Sequence, residues 1–143
     1  MAPGRNACQA IVFRNATPVD VRLLSIAVVT IDDVRSLTLS LPRTTEAFVH
    51  GRVKFRVGQI VYVSFSRDET VMGFAFPKEE REWLVGTEPE KFLMPRESDL
   101  RFNWVLVRLA EIDVAEMHEL VFDAWRMVVP KRVAAAQELE LLE

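Results

Sequence analysis

Arg52, Lys54 and Arg56 alternate with Val53, Phe55 and Val57. Successive side chains of an extended chain point to opposite faces, so the three cations share one side and the three apolar groups the other. A row of Lys and Arg on an accessible strand suits phosphate oxygens, which accept from guanidinium forks and ammonium groups alike. Residues 51–67 hold four cations, Arg52, Lys54, Arg56 and Arg67, and no acid. Arg126, Lys131 and Arg132 would extend the patch if the helix carrying Arg126 ends nearby. The plainer role of such a stripe is a solvated outer face that keeps a strand from pairing with other chains.

The three tryptophans are the other residue type suited to recognition, since an indole stacks on bases or fills a pocket on a partner. Helical spacing turns Trp83 and Trp125 toward a core. Trp104 falls on the opposite side of its strand from Val105 and Val107, the same side as Arg108. Trp104 and Arg108 are therefore candidate contacts for a partner or ligand.

Catalytic chemistry finds little support. The only histidines are His50, in an expected turn, and His118, which borders a helical apolar stripe where a hydrogen-bonded structural role is expected. No Gly-x-Ser-x-Gly elbow, phosphate loop or dinucleotide fingerprint occurs. Glu79, Glu80 and Glu82 read as a solvated helix face, and Cys8 has no second cysteine for a disulfide or a metal. The expectation is a protein with no catalytic residues, no metal and no cofactor.

Charge complicates the polyanion reading. The chain of 143 residues has a formal net charge of −3. Its first 29 residues carry three arginines against one aspartate, a net +2, so residues 30–143 carry −5. An acidic chain binds phosphate only if its cations converge on one face. The longest apolar runs, 23–30 and 60–65, are far short of the roughly 20 residues a bilayer requires. The N-terminal apolar stretch is broken by Arg14, Asn15, Pro18 and Asp20, unlike a signal peptide. These features and the lone cysteine lead us to expect a cytoplasmic protein.

The length fits one domain. Residues 1–29 lack sustained periodicity and are expected to form an extension outside the domain of residues 30–143, with translation beginning near Val28 or Val29. Thr30 and Asp33 signal a helix start, and Ile31, Val34, Leu37 and Leu41 mark its buried stripe over 31–40. Strands are expected over 53–57, 60–66 and 70–76, the first two joined by a type II′ turn at Gly58-Gln59. Pro77 opens a helix over 78–85, with Gly86 placed to cap it. A short strand near 92–94 and a clear one over 102–109 follow. Asp113 begins a long helix that Pro130 breaks, and 131–142 form the last helix. The order α-β3-α-β2-α means an α+β, two-layer fold, with an antiparallel sheet of four to five strands and helices mainly on one face.

Pairing Val57 with Ile60 would set Phe55 beside Tyr62 and leave Val61, Val63 and Phe65 on the other side. A sheet apolar on both faces needs a cover, from its own chain or from a partner.

Three segments then carry a family likeness: residues 50–57 (HGRVKFRV), 103–109 (NWVLVRL), and 120–126 (LVFDAWR) leading into Val129-Pro-Lys-Arg132. Over residues 30–136 the chain resembles the MmcQ/YjbR-like proteins. The resemblance implies a secretion-chaperone-like two-layer fold and DNA binding by a double wing of hairpins. The expected function is thus non-enzymatic DNA binding through Arg52, Lys54 and Arg56, with Arg126, Lys131 and Arg132 in support. The alternative is a protein-interaction or chaperone-like module that presents an apolar sheet face to itself or to another protein.

Overall fold

The computed structural model describes residues 28–142; the expected extension lies almost wholly outside them. Val28 is exposed, whereas Val29 is 2% exposed and belongs to the core. Helix α1 (Ile31–Thr38) starts on a reciprocal cap. The Asp33 N–H donates to Thr30 Oγ1 at 3.3 Å, and the Thr30 N–H donates to the Asp33 carboxylate at 2.9 Å. The helix stops two residues short of the expected end, with Leu39 as its cap.

The next element is one that periodicity did not reveal. Residues 44–49 form strand β1 (Thr44–Val49), which turns at His50-Gly51 into β2 (Arg52–Val57). Both turn residues take positive φ, +53° and +76°, as a two-residue type I′ hairpin requires. Gly58, with φ of +61°, turns the chain again into β3 (Ile60–Phe65). Strand β4 (Val71–Ala75), helix α2 (Lys78–Thr87), β5 (Phe92–Leu93) and β6 (Trp104–Arg108) follow. Gly86 lies within α2 and does not cap it; Glu88 does. The Asp113 carboxylate accepts from the Glu116 N–H at 2.8 Å and opens α3 (Val114–Arg126), after which α4 (Lys131–Leu142) begins past Pro130.

The result is an α+β fold with one antiparallel sheet of six strands in the order β1-β2-β3-β4-β6-β5. Residues from α1 and α3, with Leu84 and Val85 of α2, pack on one face against Phe55, Val63, Phe65, Met72, Phe74, Val105 and Val107. Trp125 of α3 is fully buried, and its indole N–H donates to the Pro42 carbonyl at 2.9 Å.

Strand β3 departs from simple alternation. Val57 does pair with Ile60, and Arg56 with Val61, but Phe55 pairs with Val63. Tyr62 is the extra residue of a β-bulge, so Tyr62 and Val63 are both turned into the core. Phe65 joins them on Phe55's side. The outer face of β3 therefore presents Val61 and Ser64, and far less apolar surface needs a cover than strict alternation implies.

Burial pushes the Tyr62 hydroxyl up to about 12, against a hydrogen bond with Thr44 Oγ1 at 2.7 Å that favours ionisation. A raised phenol pKa means that the unfolded chain ionises first. This contribution is complete below pH 10 and disappears as pH climbs from 10 to about 12. Denaturant unfolding should therefore show stability falling by about 2–3 kcal/mol across that window, and Tyr62→Phe should flatten the fall. An unchanged alkaline slope in the variant would assign the loss to other groups.

Candidate functional site

Strand pairing places Arg52, Lys54 and Arg56 on the outer face of the sheet, opposite Val49, Ala47 and Thr45 of β1. All three are half-buried along their stems. Their heads carry no ion pair among the described residues, where the bridges belong to Arg35, Lys91, Arg96 and Arg126. Arg56 Nε is buried without a hydrogen-bond partner. The chain thus keeps three cations on one strand face free of carboxylates.

Beside this row the outer face sinks into a cleft of about 640 Å³. Arg52 and Lys54 line one side, Arg96 and Phe102 the other, and Ser64 and Trp104 also face it. A shallower hollow of about 170 Å³ adjoins it, sharing Arg52, Ser64, Arg96, Asp99 and Trp104. Trp104 pairs with Ala75, and its ring reaches this position because the residue diagonally across on β4, Gly73, has no side chain. A Cβ on Gly73 would meet the indole at 2.7 Å, so only glycine lets the ring lie down against β4.

The far wall is the 94–103 segment, and α2 holds it. Arg81, 6% exposed, donates to the carbonyls of Phe102 at 3.0 Å, Trp104 at 2.9 Å and Leu100 at 2.8 Å. Lys78 adds two bonds: its N–H donates to Asn103 Oδ1 at 3.0 Å and its Nζ to the Arg101 carbonyl at 3.1 Å. Asp99, the acid on this wall, is bonded to Arg96 Nε at 3.0 Å. The chemistry of the cleft is therefore that of donors around an aromatic surface.

The other candidates lie elsewhere. Arg126 pairs with Asp123 and Glu138, each at 3.5 Å, and its guanidinium stands 5.9 Å from the Phe122 ring centre. Arg126 and Lys131 flank a separate hollow that also holds Glu80 and touches the cleft only through Ala75 and Met127. Arg132 is exposed on the first turn of α4. Arg108 donates to the Pro89 and Glu90 carbonyls at 3.3 and 2.9 Å, bracing the loop before β5 at the far end of β6 from Trp104.

Two sequence expectations are corrected. Trp83 is 71% exposed, because the buried position on α2 belongs to Arg81. His118 is exposed and makes no side-chain hydrogen bond among the described residues. Arg81 itself escaped the sequence reading, since nothing in Lys78-Glu-Glu-Arg81 marks it as the residue that meets three carbonyls. Among the described residues no group of three His, Cys, Asp or Glu side chains could hold a metal ion, and no helix is long and apolar enough to cross a membrane.

A family model described as YjbR matches residues 39–127, from the end of α1 to the end of α3. The chain belongs to the YjbR family. The YjbR match spans the hairpin, nearly all of the cleft and Trp125, and leaves all of α1 and all of α4 outside it. The structure is also similar to the crystal structure of Deinococcus radiodurans protein DR2400, which contains a DUF419 domain. The TM-score is 0.62 at 24% identity, covering 78% of this chain and 87% of that one, a likeness of fold. No curated protein matches the chain.

Proposed function

We propose that this YjbR protein is a non-enzymatic, cytoplasmic nucleic-acid-binding protein that uses the outer face of β2. The observation that carries the reading is the row of Arg52, Lys54 and Arg56, co-facial and without carboxylate partners among the described residues. Alternate residues of a strand stand about 6.7 Å apart, comparable to the separation of successive phosphates along a polynucleotide. Two hairpins, one turning at His50-Gly51 and one at Gly58-Gln59, share β2, and in this reading they serve as the two wings. The overall −3 charge lowers non-specific affinity without removing this face, because charge acts locally over about a Debye length. Arg126, Lys131 and Arg132 are secondary contacts in this scheme, the first weakened by its two carboxylates.

The experiment is a salt titration of DNA binding by fluorescence anisotropy. Substituting Arg52, Lys54 and Arg56 together by Gln should abolish measurable binding at physiological salt. At low salt it should make the log–log salt slope shallower by about 2 to 3, the release expected from three phosphates. Wild-type affinity and slope in the folded variant would end the assignment.

A further inference from the structure

Resting on that reading, we infer that the nucleic acid is single-stranded, with an unpaired base entering the cleft to stack on Trp104. The cleft is concave, and Trp104 and Ser64 line it between Arg52 and Lys54 on one side and Arg96 and Phe102 on the other. A duplex presents a convex, stacked cylinder whose bases stay inside, so it reaches the rims of such a hollow and not the indole. A base splayed from a single strand reaches the ring while its phosphate remains on Arg52 or Lys54. The volume of about 640 Å³ exceeds what one nucleotide needs and admits no double helix.

The donors point the same way. The Trp104 indole N–H, Ser64 Oγ and the amide of Gln59 make no hydrogen bond among the described residues, and Gln59 lines the same cleft. Base edges supply acceptors for such groups, as do phosphate oxygens, so a strand drawn into the hollow can satisfy them. Gly73 fits this use, because its missing side chain is what allows the indole to sit beside the cationic row.

The test compares oligo(dT) with a DNA duplex of equal length, using protein in which Trp83→Phe removes the exposed indole on α2. Trp125 is buried, so quenching reports Trp104. Tighter binding of oligo(dT), with quenching, is the expected result. Trp104→Leu should then weaken oligo(dT) binding roughly tenfold or more, while Trp104→Phe retains most of it. Duplex binding as tight as that of oligo(dT), without quenching, would overturn this inference and leave the basic-face reading standing. Failure of both nucleic acids to bind would overturn both. Should Trp104→Leu fail to fold, the quenching comparison decides by itself.

Discussion

Trp125→Ala is expected to lower the unfolding free energy by about 3–5 kcal/mol, enough to unfold much of the population of a marginal domain. Three losses combine. The indole is fully buried among core residues, so truncation removes its transfer energy and leaves a cavity. The Pro42 carbonyl loses its 2.9 Å donor in a part-buried setting. The tilted stacking with Phe122, at 5.5 Å between ring centres, disappears as well. Because Trp125 ties α3 to the segment between α1 and β1, the loss should appear as a lower denaturant midpoint with an unchanged m-value. Trp125→Phe separates the terms, keeping most of the burial while losing the hydrogen bond. A midpoint shift equivalent to less than about 1 kcal/mol for Trp125→Ala would contradict this account of the core.

The second large effect belongs to Arg81. Arg81→Met keeps the stem's volume and removes the donors, leaving the carbonyls of Leu100, Phe102 and Trp104 without their partner. Part-buried acceptors deprived of charged donors cost on the order of 1–3 kcal/mol each when water cannot reach them. Opening of the loop recovers part of that, so about 2–4 kcal/mol is expected. Hydrogen exchange should accelerate in residues 96–103 before it does in β2 and β3, because the damage is local to one wall. Uniform acceleration across the sheet would show that Arg81 supports the whole fold and not the cleft in particular.

Those two residues also mark where sequence reasoning succeeds and fails. Trp125 was legible: it sits beside an apolar stripe on a helix opened by Asp113 and stopped before Pro130. Thr30 and Asp33 announced α1 in the same way, since a capping pair is a local signal. The cationic row was legible because a half-buried strand writes its two faces as alternating letters. Arg81 was not legible, because its partners are main-chain carbonyls around 20 residues away, and carbonyls carry no letter. The same blindness assigned Trp83 to the core. Strand β1 was missed for a different reason. It is an edge strand in which Glu46 pairs with Arg35 of α1 and Phe48 remains 73% exposed, so neither face reads as apolar. The cleft could not be foreseen at all, since it depends on Gly73 and Trp104, 31 positions apart in the chain, becoming neighbours.

The bulge at Tyr62 has a consequence for how relatives should be compared with this protein. On either side of the doubled residue, odd and even positions exchange their meaning, so the letters of β3 are in phase with β2 at one end and out of phase at the other. A relative with a strand of the same length but no bulge would align column by column with the same apparent motif, yet send its counterparts of Val61 and Ser64 to opposite sides. Whether another family member owns the same cationic face must be judged by which residues stand abreast in three dimensions. A consensus logo would average the two arrangements into one and erase the distinction.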